Sequence, residues 1–188
     1  MVFRFLLLLI IAFPAFAAEI AGVRIEEKEK FGNSELTLNG AGLRKRAFFQ
    51  VYAIGLYLPE KKALAADAVA APGPKRVAIH MLRNVDAQTF SGALADGVKD
   101  NHNEAEAKAL EPRVKQLVAI MAEVGEAKEG MRITLDWVPA AGTVLSVNGK
   151  PAGGPIAGED FYRALLRIWL GENPVQSDLK KALLGEKQ

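Results

Sequence analysis

Cysteine is absent from the 188-residue sequence, and histidine occurs only twice. Without cysteine, the fold has no disulfide, and thiolate catalysis and thiolate metal ligation are excluded. An excess of one charge is also missing, because 24 Lys and Arg residues face 22 Asp and Glu residues, for a formal net charge of +2. A balance this even argues against a general nucleic-acid or acidic-lipid partner, since both are held by a basic field that extends over the protein.

Long apolar runs are confined to the N-terminus. An apolar run over 5–13 follows a single basic residue and precedes the small-residue site Ala15-Phe16-Ala17. This pattern predicts a cleavable secretory signal peptide over residues 1–17. An uncleaved membrane anchor is the alternative, but it needs roughly 20 apolar residues. We expect residues 18–188 to form a single exported, periplasmic domain with no stable membrane span.

The rest of the chain alternates between strand-like and helix-like segments. Strand patterns cover 23–38, with a turn expected at 31–34, and also 48–58, 76–82, 131–138 and 143–147, with a break expected at 39–42. Helix patterns cover 62–71, a segment starting after Asp86, 103–122, 159–170 and 178–184, the last capped by Ser177. Neighbouring strands joined by turns favour a large antiparallel sheet with helices packed on one face, which is an α+β fold.

Arg44 is the cation with the most informative surroundings. It follows the glycine-rich segment 39–42 and precedes 48–58, the most apolar strand-like segment after the N-terminus. An arginine at the edge of an apolar pocket can bind a carboxylate or a phenolate through its planar fork of donors. The alternative is that Arg44, Lys45 and Arg46 form a solvent-facing basic cluster.

Two tyrosines, Tyr52 and Tyr57, lie in the apolar segment that follows. They are five residues apart, so they point to opposite faces of a strand. One of them can present its hydroxyl group to a ligand while the other packs elsewhere. The alternative is that both are core aromatic residues that anchor helices.

The two histidines, His80 and His102, are the candidates for a metal, haem or proton-transfer role. His80 falls in a predicted strand, and His102 falls at the junction between two predicted helices. No motif of a serine nucleophile accompanies them, and a structural or solvent-facing place is the alternative for each. Haem binding through His80 or His102 stays open, and no other cofactor or metal is indicated.

Two segments match motifs of a known superfamily. The first is Leu38-Asn-Gly-Ala-Gly-Leu-Arg44, continuing to the strand 51–57, and the second is 169–180, which ends in Ser-Asp-Leu-Lys. They resemble the glycine-rich stretch, catalytic arginine, following strand and C-terminal "DLK" pattern of plant chalcone isomerases. The chain is most similar to the bacterial chalcone isomerase-like branch of that superfamily. The resemblance implies an open-faced β-sandwich, in which a large antiparallel sheet and a layer of helices enclose an apolar cleft.

The resemblance also implies a set of site residues. Arg44 corresponds to the arginine with which the plant enzymes hold the flavonoid phenolate. Tyr52 replaces an active-site threonine, and Ile168 replaces another polar residue that contacts substrate. The tyrosine and asparagine of the plant site have no match around 90–101.

Retention of the arginine without most of the polar network favours the superfamily's noncatalytic fatty-acid-binding members. We therefore expect a periplasmic binding protein for a fatty acid or a similar apolar anion, with Arg44, Tyr52 and Ile168 contacting the ligand. An isomerase or intramolecular lyase with an unknown substrate is one alternative, and a haem-binding protein is the other. No protein partner is indicated.

Overall fold

A seven-stranded antiparallel sheet forms the centre of the fold. A computed structural model describes residues 18–186, so the predicted signal peptide lies outside the described residues. The strands are β1 Ala18–Ile20, β2 Val23–Ile25, β3 Lys28–Phe31, β4 Ser34–Arg46, β5 Phe49–Leu58, β6 Lys75–Met81, β7 Arg132–Val138, β8 Gly142–Val147 and β9 Lys150–Ile156. Strands β3 to β9 pair in chain order, and β1 and β2 form a separate two-stranded ribbon.

Helices cover one face of the sheet. They are α1 Ala65–Ala70, α2 Ala87–Asp100, α3 Glu104–Val124, α4 Glu159–Leu170 and α5 Ser177–Leu183. Their apolar side chains share one core with alternate residues of the central strands, such as Ile54, Ile79 and Leu135. This arrangement confirms the predicted α+β architecture. Within residues 18–186, no helix has the length and apolar character needed to cross a bilayer.

Strand β5 is buried on both faces, as its apolar sequence predicts. Tyr52 lies in the helix-covered core, whereas Tyr57 lies in a second core on the opposite face, which includes residues of the β1–β2 ribbon. The Tyr57 hydroxyl group donates a hydrogen bond to the main-chain oxygen of Glu26 at 2.9 Å. The two tyrosines therefore face opposite sides of the sheet, which confirms the prediction from their spacing.

The expected break at 39–42 is wrong. Strand β4 runs without interruption from Ser34 to Arg46, and the glycine-rich segment lies inside it. The only irregularity there is a register shift between Leu38 and Gly40. A bulge bends a strand without ending it, so β4 extends to its pairing with β5 beyond Arg44.

Gly40 is required because helix α5 lies directly against β4. A Cβ atom at this position would overlap the main-chain oxygens of Ala182 and Leu183. The neighbouring Asn39 is buried and donates a hydrogen bond to the Leu183 oxygen at 2.7 Å. The bulge and the missing side chain together allow the C-terminal helix to dock on the strand.

Of the two edge strands of the sheet, β9 is missed by the sequence patterns, whereas β3 falls inside the strand-like segment 23–38. Strand β3 is short and highly charged, and β9 contains two prolines and two glycines, which have low strand propensity. An edge strand tolerates proline because one side of its backbone has no strand partner. Position at the edge, which the local sequence does not reveal, thus explains why β9 is missed.

Ion pairs occupy the sheet face opposite the helices. The Arg76 guanidinium group donates to both carboxylate oxygens of Asp136 and to Glu29, each at 2.7 Å. Arg132 donates to the same Glu29 carboxylate at 2.6 and 2.7 Å. His80 lies on this face opposite Arg132 in the β6–β7 pairing. Burial, together with the positive charge of Arg132, lowers the pKa of His80.

Replacement of Gly40 tests the contact between β4 and α5. We expect Gly40→Ala to lower the free energy of unfolding by about 1–3 kcal/mol, because the helix must move to admit the methyl group. The matched control is Gly92→Ala in α2, where a Cβ would meet no atom within 4 Å and helix propensity favours alanine by roughly 0.5–1 kcal/mol. Urea denaturation measures both, and wild-type stability in Gly40→Ala would contradict the contact.

His80 predicts a dependence of stability on pH. The pKa of His80 in the folded protein lies below its ordinary value of 6.5. At a pH between the folded-state pKa and the unfolded-state pKa, the unfolded chain therefore binds a proton that the folded chain does not. Falling pH therefore favours unfolding. We expect the free energy of unfolding to drop between about pH 7.5 and about pH 5.5, and to drop less in His80→Gln. Identical losses in both proteins would show that His80 makes no contribution.

Candidate functional site

A cleft of about 1210 Å³ opens between the β4–β5 hairpin, helix α2 and the loop that joins α4 to α5. Its inner surface includes the buried apolar side chains of Phe90, Leu94 and Ile168. Its rim is charged and carries Arg44, Arg46, Arg83, Asp86, Asp96, Asp100 and Glu172. Ligand pockets commonly measure about 300–1,000 Å³, so the cleft has room for an elongated ligand with one polar end.

The residues selected from the sequence, Arg44, Tyr52 and Ile168, all line this cleft. Arg44 and Tyr52 are directly opposite in the pairing of β4 with β5. Opposed residues in an antiparallel pair share a face, with Cβ atoms about 4.5–5.5 Å apart. The structure thus brings the three residues into one place, and their contact with a ligand remains a prediction.

Ile168 reaches the cleft from helix α4, at the point where that helix crosses α2. The crossing is close because Gly97 has no side chain: a Cβ there would lie 2.8 Å from Cγ2 of Ile168. A glycine inside an amphipathic helix often has a packing reason of this kind. The inner wall of the cleft is consequently set by the contact between two helices.

The Tyr52 hydroxyl group is held as a hydrogen-bond donor. The buried Trp169 side chain donates its Nε1–H to the Tyr52 oxygen at 3.0 Å. An indole nitrogen can only donate, so the phenol oxygen accepts this bond and its own hydrogen remains for another acceptor. Burial raises the pKa of Tyr52, while the Trp169 hydrogen bond and the charge of Arg44 oppose that rise. The hydroxyl group is therefore neutral, and able to donate, at neutral pH.

Arg44 is positioned by Gln176, a residue that the sequence patterns do not single out. The Arg44 Nη1 donates to the main-chain oxygen of Lys45 at 2.5 Å and to Gln176 Oε1 at 3.4 Å. Gln176 also accepts from the Lys45 amide at 2.9 Å and donates to the Leu43 oxygen at 3.2 Å. Both acceptors of Arg44 are neutral, so these two contacts leave the guanidinium charge uncompensated.

Gln176 also corrects the predicted start of the last helix. Residue Ser177 is the first helical residue of α5, and Gln176 occupies the N-cap position without a side-chain cap bond. The Gln176 side chain instead forms hydrogen bonds with residues of β4. Its place within the motif segment 169–180 is the one sequence signal that points to it.

Two asparagines fix the loop between α4 and α5 to the end of α2. Asn101 accepts a hydrogen bond from the Asn173 amide and donates to the Asn173 main-chain oxygen, both at 2.9 Å. Asn173 in turn donates to the Asp100 oxygen at 2.8 Å. The Asn101 side chain thus binds the loop between α4 and α5, and these hydrogen bonds hold that loop against the end of α2.

Neither histidine contributes to the cleft. His80 lies on the opposite face of the sheet, and His102 lies after α2 with its Nδ1 2.7 Å from the Val98 oxygen. Neither is among the cleft-lining residues, and haem binding through His80 or His102 stays a prediction. In the described part of the chain, no group of three or more His, Cys, Asp or Glu residues is arranged to hold a metal ion.

Comparison with solved structures supports the architecture. A fatty-acid binding protein of Arabidopsis thaliana matches with a TM-score of 0.68 and 15% sequence identity, over 87% of this chain and 92% of that chain. A likeness at this identity establishes the shared fold. No curated protein matches the sequence.

A family model gives the corresponding result at the level of sequence. The model described as chalcone isomerase-like matches residues 17–185. This span includes both motif segments, 38–57 and 169–180, and every element of the sheet and the helices. The chain therefore belongs to the chalcone isomerase-like family.

Proposed function

We propose that the protein is a noncatalytic, exported binding protein that holds a fatty acid or a similar apolar anion in the periplasm. One observation carries the proposal: Arg44 and Tyr52 stand side by side as hydrogen-bond donors at the edge of a partly apolar cleft. A carboxylate accepts from both donors and balances the arginine charge. The proposed export to the periplasm is based on the predicted signal peptide.

The positive charge of Arg44 determines where the carboxylate of the ligand binds. A half-buried cation is stable when an anion lies beside it, and a bond between guanidinium and carboxylate contributes about 1.5–3 kcal/mol. Tyr52 adds a neutral donor whose direction is set by Trp169. The two donors therefore select an oxyanion headgroup over an alcohol or an amide.

The apolar inner surface provides for the ligand's hydrocarbon part. Phe90, Leu94 and Ile168 are each at least nine-tenths buried around the cleft. Each methylene group moved from water to such a surface contributes about 0.8 kcal/mol. Ile168, which replaces a substrate-contacting polar residue of the plant enzymes, favours an acyl chain over a hydroxylated flavonoid ring.

The hydrogen-bonding character of the two central polar groups supports a noncatalytic role. Its two central polar groups are both donors, and binding a carboxylate uses both without any bond being made or broken. The fatty-acid binding protein of Arabidopsis thaliana, which shares the fold, supports the same interpretation. An isomerase is the alternative, in which Arg44 would stabilise a developing oxyanion.

The Arg44 side chain provides the first test. We expect Arg44→Gln to weaken palmitate binding by about 10- to 100-fold while leaving hexadecanol binding nearly unchanged, because only the acid carries the charge. Isothermal titration calorimetry on the purified domain measures both ligands. Arg24→Gln is the matched control, since Arg24 pairs with Glu26 on the surface.

Two further measurements complete that test. Mass spectrometry of lipids extracted from natively purified protein identifies the bound species. Recovery of no lipid, together with unchanged palmitate affinity in Arg44→Gln, would overturn the proposal. Turnover of a chalcone panel that Arg44→Gln abolishes would instead establish the isomerase alternative.

The Tyr52 hydroxyl provides the second test. We expect Tyr52→Phe to lower palmitate affinity by about tenfold, and to lower the free energy of unfolding by roughly 1–3 kcal/mol because the Trp169 N–H loses its acceptor. Tyr57→Phe is the control, because it also removes a hydroxyl hydrogen bond but on the opposite face. If both variants bind palmitate as the wild type does, Tyr52 has no part in recognition.

A further inference from the structure

The hairpin between β4 and β5 ends in two aromatic residues that the fold leaves exposed. Phe48 is 84% exposed and Phe49 is 47% exposed, and their ring centroids lie 4.3 Å apart. Exposed aromatic rings at a loop tip are unfavourable in water. Adjacent exposed apolar side chains of this kind commonly mark an interaction site.

Positive charge surrounds these rings. Lys45 and Arg46 precede the turn and are exposed, and Arg83, from the loop after β6, places its guanidinium carbon 4.4 Å from the Phe49 ring centroid. Residues 36–59 contain no acidic side chain, so the whole hairpin end carries one sign of charge. We define the basic aromatic tip as Lys45, Arg46, Phe48, Phe49 and Arg83.

The basic aromatic tip stands at the mouth of the cleft. Arg46, Phe49 and Arg83 belong both to the tip and to the cleft lining. The carboxylates that line the cleft come instead from α2, its cap and the loop after α4: Asp86, Asp96, Asp100 and Glu172. The charge of the cleft rim is therefore polarised, with its positive end at the hairpin.

We propose that the basic aromatic tip docks the protein on the surface of an anionic phospholipid bilayer. Phe48 enters the headgroup region, where aromatic side chains are favoured, and Lys45, Arg46 and Arg83 contact lipid phosphates. A stable protein interface buries about 800 Å² on each partner, far more than two rings supply. A bilayer needs only a shallow apolar contact backed by charge.

Docking at this place has a consequence for ligand entry that depends on the function proposed above. The cleft mouth would face the membrane, so an acyl chain leaving the bilayer passes Phe49 before it reaches Tyr52. The docking itself depends only on the tip. It is therefore measured without ligand, and loss of palmitate binding in the Arg44 test would not affect it.

Vesicle co-sedimentation of the ligand-free domain tests the docking. We expect binding to vesicles of phosphatidylglycerol mixed equally with phosphatidylcholine, weak binding to phosphatidylcholine alone, and release on raising salt from about 0.1 M to about 1 M. Phe48→Ser should weaken binding by about tenfold, and so should the pair Lys45→Gln with Arg46→Gln. Phe48 is exposed, so its replacement leaves the core intact, which the thermal midpoint verifies.

Matched controls come from the other end of the fold. Leu64, the N-cap residue of α1, is 65% exposed and follows the far end of β5, so Leu64→Ser should bind vesicles as the wild type does. The charge control is Lys61→Gln with Lys108→Gln, both exposed residues outside the tip. Equal losses in tip and control variants would overturn the proposal, as would no binding to anionic vesicles at low salt.

A fluorescent label locates the contact independently. Because the chain contains no cysteine, Phe48→Cys and Leu64→Cys each give a single site for an environment-sensitive dye. Anionic vesicles should shift the emission of the dye at position 48 to the blue and leave position 64 unchanged. A different pair of results would refute bilayer docking: dimers that form as protein concentration rises and that Phe48→Ser abolishes, and no dye shift on vesicles. Those results would assign the tip to contact with a second copy of the chain.

Discussion

Pairing of β4 with β5 places Arg44 opposite Tyr52, and the pair of hydrogen-bond donors at the edge of the cleft depends on that register. In a strand pair, a slip of one residue would move each side chain to the other face. The register is secured because Tyr52 and Tyr57 are buried in separate cores on the two sides of β5. The bulge near Gly40 and the docking of α5 fix β4 from its own side.

The cleft is built from contacts that leave it little freedom to collapse. Helices α2 and α4 touch through Gly97 and Ile168, and the Asn101–Asn173 bonds tie the following loop to α2. Gln176 ties the same loop to β4. Walls held from three sides are preorganised, and preorganisation reduces the entropy that a binding site loses when it takes a ligand.

The parts of the fold that follow from sequence are those with a strong local pattern. The apolar run of β5, the amphipathic face of α4 and the capping of α2 by Asp86 are all visible along the chain, and the structure agrees with each. Edge strand β9 and the bulge in β4 are not visible along the chain, because sheet position and a long-range contact with α5 determine them. Local residue preferences carry no information about either.

The candidate site likewise contains residues that follow from the sequence and residues that do not. Arg44 and Tyr52 stand out because they lie in or beside the most apolar strand-like segment, and the resemblance adds Ile168. Gln176 acts through hydrogen bonds to residues more than a hundred positions away, which no local pattern encodes. Glu29 likewise gains its role only when folding brings it between Arg76 and Arg132, where a neutral residue would leave two cations facing each other.

The hydrogen bond between Trp169 and Tyr52 also constrains how the family can diverge. The indole N–H is buried and has the phenol oxygen as its partner, so loss of either residue alone leaves a polar group unpaired. A lineage that changes one of these two residues therefore has to change the other or supply a new hydrogen-bond partner for it. The two positions are thus coupled by a single buried hydrogen bond, although they lie 117 residues apart in the chain.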